Sequence, residues 1–194
     1  YNVEGRVQSS DSVLTDCGRQ QAKQLAERVR QLPFQHLVVS DYVRTRQTAD
    51  ELLSHIDVSV NYSALVREIR RPSEFWHQSN SSDAYLSFLQ QATDKYADPD
   101  WHYSDEENFF DARARVAEAL DYFDTLDGDV VVVTHGHFIR LLVSYVLHLG
   151  QLEAGDWKKM QHAYWAQNGG ITTIVSDTTS RRLLTFNDLA HFAE

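Results

Sequence analysis

Two segments of the chain carry residue types suited to binding an anion. The segment 40–48 (Ser-Asp-Tyr-Val-Arg-Thr-Arg-Gln-Thr) places Arg44 close to the start of a predicted helix, and the segment 134–137 (Thr-His-Gly-His) places His135 at the end of a predicted strand. Gly136 marks a point where the backbone must approach another group closely. In open α/β sheets, ligands bind outside the carboxyl ends of strands, where helix N-termini offer N–H groups and a positive dipole. The two segments therefore predict an anion site, and phosphate fits it best.

Each of these side chains also has an ordinary structural explanation. Arg44 alone could form an ion pair with Asp41 or Asp50. A single histidine after a strand, such as His135, is more often a hydrogen-bonded structural residue than a catalyst. Because Arg44 and His135 follow two separate strands, their joint position favours the phosphate site.

Other phosphate and hydrolase chemistries lack their residues in this chain. It has no glycine-rich loop ending in Lys-Ser/Thr, no Gly-x-Gly-x-x-Gly and no Gly-x-Ser-x-Gly. Cys17 does not fit a phosphatase thiolate, because it lies ahead of any strand and Lys23 stands where such a site needs arginine. Asp98 does not follow an apolar strand, which excludes an aspartyl-phosphate site. No group of side chains beside Arg44 and His135 has metal-ligand spacing, so we expect no metal.

Apolar periodicity predicts the elements that position these residues. A short apolar run at 37–39 indicates one strand, and four valines at 130–133 indicate another that is covered on both faces. Alternating strands and helices predict an α/β fold, a three-layer α/β/α sandwich with a mainly parallel sheet. The predicted strands are 36–40, 129–134, 171–175 and 182–186, the last two forming a hairpin; the predicted helices are 15–32, 108–126 and 138–149, with another through 49–53.

Residues 72–105 interrupt this pattern. They hold Pro72 and Trp76, a polar run at 79–82, a predicted helix at 83–96 and aromatic residues at 101–103. We interpret them as a helical cap inserted into a single domain that spans 1–194. Such a cap would select the substrate, although its aromatic residues are also explained by packing onto the domain.

Composition narrows the function classes. The chain has 194 residues, with 28 acidic and 18 basic side chains and a net charge of −10. This charge argues against nonspecific binding to nucleic acid or to an anionic membrane. No apolar run approaches the roughly 20 residues of a membrane span, and the single Cys17 fits a reducing cytoplasm. We therefore expect a cytoplasmic protein without a nucleic-acid or membrane partner.

Five stretches occur in a defined order along the chain: Gly5-Arg6-Val7-Gln8; Leu14-Thr15-Asp16-Cys17-Gly18 with Gln21-Ala22; Ser40 to Ala49; Thr134-His135-Gly136; and Phe186-Asn187-Asp188 with His191. Together they resemble the histidine phosphatase superfamily, in its phosphoglycerate mutase-like branch. The resemblance covers nearly the whole chain at compatible spacing. It implies a phosphoglycerate mutase-like fold, no cofactor, a small phosphorylated substrate, and attack on phosphorus by the histidine of an Arg-His-Gly motif.

The resemblance also implies roles for individual residues. Asn2, Arg44, His135 and Gly136 would contact the phosphate. Arg44 and His135 would also be catalytic, because they stabilise the transferring phosphoryl group. Glu68 matches the glutamate that protonates the leaving oxygen. Its apolar neighbours at 65–66 predict a partly buried carboxyl group with a raised pKa.

Three further expectations concern the surroundings of that site. Glu74 is the nearest competitor of Glu68 for the role of acid, and Glu107 stands in the place of a residue that contacts substrate or supports the site. The Arg-His-Gly motif is expected just before Tyr1, so we name no nucleophile within 1–194. The same preceding segment would supply a central strand, which this chain lacks.

The resulting interpretation is a metal-independent phosphatase that hydrolyses a phosphomonoester through a phosphohistidine intermediate. Phosphoglycerate mutase-type phosphoryl transfer is the first alternative. It ranks lower because residues 8–11 and 70–76 do not match the stretches typical of mutases. A non-catalytic module that binds a phosphorylated ligand is the second alternative.

Overall fold

The computed structural model describes residues 5–177 and 179–192. The helices are α1 (Asp16–Val29), α2 (Val43–Leu53), α3 (Asp83–Asp94), α4 (Phe109–Asp124), α5 (Gly136–Leu147) and α6 (Ala154–Met160). The strands are β1 (His36–Ser40), β2 (Val60–Ser63), β3 (Val130–Val133), β4 (Ile171–Ser176) and β5 (Arg181–Asp188). Short 3₁₀ helices cover Ala64–Val66, Ser73–Phe75 and Ala190–Phe192.

Three parallel strands form the sheet that carries the candidate site. β1 lies in the middle, with β2 on one side and β3 on the other. Val38 of β1 is opposite Asn61 on one side and Val132 on the other. β4 and β5 form a separate antiparallel hairpin, as the sequence predicts. The carboxyl ends of β1 and β3 therefore open at the same edge of the sheet.

Helices cover both faces of this sheet. Leu37 and Val39 pack with α1 and α2 on one face, while Val38 packs with α4, α5 and α6 on the other. Alternate residues of one strand thus enter two different cores, which is why the strand is apolar without interruption. The predicted three-layer α/β/α sandwich is confirmed.

Among the described residues, β3 has a hydrogen-bonded neighbour, β1, on one side only. Val131 and Ile171 pack against the same cluster on one face, and Val132 and Ile174 pack against the same cluster on the other. β3 and β4 therefore lie in one layer, yet within the described residues no backbone ladder joins them. The valines of β3 are only partly buried, although their sequence predicts cover on both faces.

Residues 72–105 have an aromatic core of their own. Phe75, Tyr85, Phe88 and Tyr103 pack ring against ring, with centroids 5.2 to 5.8 Å apart. Val7 belongs to the same cluster, because residues 5–7 pair with 77–80: the Val7 N–H donates to the Gln78 carbonyl at 2.9 Å. This connection to the start of the chain was not predicted.

The predicted element bounds agree closely with the structure. The strand at 36–40 has the bounds expected, and Thr15 caps α1 by accepting from the Gly18 N–H at 3.1 Å. α1 ends at Val29 rather than at 32, and α5 begins at Gly136 rather than at 138. β2 and α6 were missed.

No helix within the described ranges is long and apolar enough to cross a membrane.

Candidate active site

Arg44 lies in the first turn of α2, at the carboxyl end of β1. Its Nη1 donates to the Ser9 carbonyl at 2.8 Å, and its guanidinium carbon lies 5.0 Å from the centre of the Tyr42 ring. Burial lowers the pKa of Arg44, and the nearby Glu68 carboxylate acts in the opposite direction. The guanidinium is charged throughout the physiological range.

Arg44 does not form the ion pair with Asp41 that would explain it as a structural residue. That carboxylate binds Arg67 through two hydrogen bonds, including one from Nε at 2.6 Å. The Arg67 hydrogen bonds keep the pKa of Asp41 below its usual range. Asp41 is thus occupied by Arg67, and Arg44 donates instead to the Ser9 carbonyl.

His135 is the last residue before α5 and is only 6% exposed. Its Nε2 lies 2.8 Å from the hydroxyl of Ser40, the last residue of β1. The Tyr42 ring meets the imidazole edge-on, with centroids 5.2 Å apart. Burial lowers the pKa of His135 to about 3, so the imidazole is neutral at neutral pH. A neutral ring with one N–H is an oriented hydrogen-bond donor.

Glu68 occupies the N-terminus of α5. Its carboxylate accepts from the N–H of Phe138 at 3.0 Å and from the N–H of His137 at 3.3 Å. The N–H of Ile69 also donates to it at 3.0 Å, and His137 Nδ1 lies 3.6 Å away. The free N–H groups and positive dipole expected at this helix end for a phosphate therefore serve a carboxylate of the protein itself.

The predicted raised pKa of Glu68 is wrong for the site as it stands. Burial does favour the neutral acid, but His137 and the N–H of Ile69 outweigh it and hold the pKa of Glu68 below its usual range. The side chain keeps 23% of its surface exposed, which also reduces the cost of ionisation. Apolar neighbours in sequence gave no sign of these donors, which lie almost 70 residues further along the chain.

Arg44, His135 and Glu68 converge on one place. Glu68 is bound by the N–H groups of His137 and Phe138, which follow His135 in the chain. The Tyr42 ring contacts both His135 and Arg44. The structure thus brings together the three residues that sequence reasoning selected as catalytic.

Arg115 on α4 supports the loop that carries Glu68, and sequence reasoning missed it. Its Nη1 donates to the carbonyls of Leu65 and Arg67 at 2.9 and 2.8 Å. It also forms two hydrogen bonds, of 2.6 and 2.7 Å, with the Glu107 carboxylate. An arginine in an amphipathic helix that carries another arginine and four acidic residues gives no signal of its own, because the carbonyls it holds come from a distant loop.

Three further predicted residues have different surroundings. Glu107 is occupied by Arg115 and by the Arg70 N–H, which donates at 2.9 Å, so its carboxylate supports the loop. Glu74 lies exposed in the 3₁₀ helix Ser73–Phe75. Gly136 is the first residue of α5, and a Cβ there would meet only the Ala166 carbonyl, at 3.6 Å. Asn2 lies outside the described residues.

Metal ligands are not grouped anywhere in the described parts of the chain: no three His, Cys, Asp or Glu side chains there could hold an ion. Metal independence stays a prediction that needs an assay.

Comparison with known proteins places this geometry in a family. The model of the histidine phosphatase superfamily (branch 1) matches residues 1–189. The chain belongs to the histidine phosphatase superfamily. The predicted family is therefore confirmed, and members of this superfamily are phosphatases or mutases.

Two relatives within the superfamily are named probable phosphoglycerate mutase GpmB. The protein of Erwinia tasmaniensis is 30% identical over 156 residues, which are 77% of this chain and 70% of the relative. That of an Enterobacter species is 32% identical over 165 residues, with the same coverage.

Solved structures share the histidine phosphatase fold. YhfR of Bacillus stearothermophilus has a TM-score of 0.82 at 23% identity, over 99% of this chain and 93% of that one. A phosphoserine phosphatase mutant of Entamoeba histolytica, in complex with phosphoserine, has a TM-score of 0.76 at 20% identity with the same coverage. At these identities the likeness concerns the fold alone.

Proposed function

We propose that this protein is a metal-independent phosphatase that hydrolyses a small phosphomonoester through a phosphohistidine intermediate. The observation that carries the proposal is the convergence of Arg44, His135 and Glu68 at the carboxyl edge of β1 and β3, where Tyr42 contacts the first two and the start of α5 holds the third. A partly buried arginine whose neighbouring Asp41 is already paired, beside a neutral histidine, suits a phosphoryl group with its two negative charges.

The attacking histidine, on this proposal, enters with a strand that lies between β3 and β4. β3 and β4 share both cores without pairing, so one further strand between them would satisfy their facing backbone groups and cover the half-buried valines. Its carboxyl end would open at the same edge as Arg44 and His135. We propose that residues 1–194 and this preceding strand form one domain, with 72–105 as its cap.

The reaction then has two balanced steps. In the first, the histidine nitrogen forms a bond to phosphorus, the ester P–O bond breaks, and Glu68 gives a proton to the departing alkoxide. In the second, Glu68 takes a proton from water, the resulting hydroxide bonds to phosphorus, and the N–P bond breaks. Arg44 and an N–H of His135 hold the phosphoryl oxygens in both steps.

Glu68 is ionised in the site as it stands, which is the state that the base of the second step requires. The first step needs Glu68 in its protonated form, and the bound substrate favours that form. A phosphate dianion beside the carboxylate disfavours its ionised form, so binding raises the pKa of Glu68. The acid would thus be protonated only when a substrate is present.

The names of similar proteins support a small phosphorylated substrate. Entamoeba histolytica phosphoserine phosphatase has been solved in complex with 3-phosphoglyceric acid, and a mutant of it in complex with phosphoserine. A cytoplasmic location, suggested by the single Cys17, remains a prediction.

The test uses the protein with its natural N-terminus. It should release phosphate from p-nitrophenyl phosphate, and a brief reaction quenched in alkali should contain phosphate bound to histidine, which is stable in base. Interconversion of 2- and 3-phosphoglycerate faster than hydrolysis would favour the mutase, the activity named for the relatives. Phosphate-ester binding without turnover would favour the binding module.

A further inference from the structure

A cavity of about 90 Å³ lies beside the backbone groups that hold Glu68. Ile69 and His137 form part of its wall, and both donate a backbone N–H to the Glu68 carboxylate. The rest of the wall comes from Arg71, from side chains between residues 88 and 108, from α4, α5 and α6, and from Gln161. Because Glu68 is proposed to protonate the leaving oxygen, the alcohol that carries this oxygen would extend into the cavity.

Arg71 lies in the wall of this cavity and is partly buried. Within residues 5–177 and 179–192 its side chain has no hydrogen bond or ion pair, in contrast to the fully engaged Arg67 and Arg115. A partly buried guanidinium without a counter-ion is costly unless an anion joins it.

The acidic residues of the wall do not supply that anion. Glu107 is bound by Arg115 through two hydrogen bonds. Glu106 accepts from the N–H groups of Tyr103 and Ser104, at 2.5 and 2.8 Å. The remaining acid, Asp98, accepts from the N–H of Asp100 at 3.2 Å.

Tyr96 gives an independent indication. Its hydroxyl oxygen is buried, lies at this wall, and makes no hydrogen bond to the described part of the chain. Burial raises the pKa of Tyr96, so the group keeps its proton and is a donor, and Arg71 is near enough for its charge to act on it. A buried hydroxyl without a partner is destabilising, and an acceptor oxygen from a ligand would remove that cost.

We propose that the cavity binds an anionic group on the leaving alcohol of the substrate, held by Arg71 and the Tyr96 hydroxyl. This inference rests on the proposed phosphatase function and adds a substrate class, small phosphomonoesters that carry a second anionic group. A carboxylate and a second phosphoryl group share the required chemistry. The volume suits an alcohol of a few heavy atoms rather than a nucleoside or a peptide.

Three substrates with one glycerol skeleton test the proposal on the full protein. Glycerol 1-phosphate has no second anionic group, 3-phosphoglycerate has a carboxylate, and glycerol 1,3-bisphosphate has a second phosphoryl group. We expect Arg71→Met to lower kcat/KM about 10- to 100-fold for one or both of the anionic substrates, the effect of one charge-assisted hydrogen bond. The value for glycerol 1-phosphate should stay within about a factor of two. Tyr96→Phe should act in the same direction with a smaller loss.

Arg70→Met is the matched control, since Arg70 is the exposed neighbour and does not line the cavity. Arg70→Met should leave kcat/KM unchanged for all three substrates. A loss of equal size for all three substrates in Arg71→Met would overturn the inference. Absence of hydrolysis of any ester, p-nitrophenyl phosphate included, would instead refute the proposed function.

A binding measurement gives a second readout that does not need turnover. Glycerate, the product with the carboxylate, should bind the wild type in calorimetry and should bind Arg71→Met at least about tenfold more weakly. Glycerol serves as the uncharged comparison. Equal glycerate affinity of the two proteins would contradict the proposed site even if the kinetics were ambiguous.

Discussion

Replacing Arg115 by methionine tests the support of the Glu68 loop. The change leaves the Glu107 carboxylate with the Arg70 N–H and removes the donor from the carbonyls of Leu65 and Arg67. Breaking a buried ion pair from one side costs about 3–5 kcal/mol. Because the side chains of Arg115 and Glu107 are each 14% exposed, we expect the lower end, about 3 kcal/mol in the free energy of unfolding.

Urea denaturation of four proteins measures this value. They are the wild type, Arg115→Met, Glu107→Gln and the double variant, and the pair should show an interaction energy of about 1–3 kcal/mol. Arg30→Met is the control, because the Arg30–Glu27 pair has the same short distance, 2.7 Å, but side chains that are 48% and 51% exposed. That control should lose less than about 1 kcal/mol. If Arg115→Met lost no more free energy of unfolding than Arg30→Met, the contacts of Arg115 with the Glu68 loop would not stabilise the protein.

The other predictions concern the site and its titration. His135→Ala should fold yet lose about 10²-fold or more in turnover, the scale of one oriented donor to a phosphoryl oxygen; a loss of only a few-fold would make it a structural histidine. Glu68→Gln should slow an alkyl phosphate far more than p-nitrophenyl phosphate, whose leaving group needs no proton, while Glu74→Gln should affect both equally; the reverse pattern would move the acid to Glu74. Turnover should survive a chelator, and activity restored only by a divalent ion would contradict metal independence. His135 has an ordinary pKa of 6.5 and a folded value of about 3, so between these values the unfolded state binds the extra proton and stability should rise with pH. In urea titrations this rise should be smaller in His135→Gln, and an unchanged slope would exclude burial of a neutral imidazole.

The position of the candidate site could be predicted from the ends of the apolar strands. The apolar runs at 36–40 and 130–133 located the edge of the sheet, and the residues that follow them, Arg44 and His135, indeed meet there. Glu68 was found only through the family resemblance. β2 was missed because it is a four-residue edge strand with exposed Asn61 and Tyr62, so it shows little apolar pattern.

The contacts that tune the site could not be predicted in this way. The N–H groups of His137 and Phe138 are available to Glu68 only because α5 begins beside the loop at 65–70. Ser40 ends β1 as a small polar residue, and nothing local indicates that it would meet His135. Such pairs depend on tertiary packing, whereas periodicity reports only which face of an element is covered.

The pairing of residues 5–7 with residues 77–80 would affect any movement of the proposed cap. Gly5 and Val7 are hydrogen-bonded to residues 77–80, and two residues later the Ser9 carbonyl holds Arg44. Two residues of extended chain span only about 7 Å, so this tether has little slack. Any outward swing of the cap that admits a substrate would pull on the carbonyl that orients Arg44. Movement of the cap that opens the cavity would therefore be coupled to the position of Arg44, which binds the phosphoryl group.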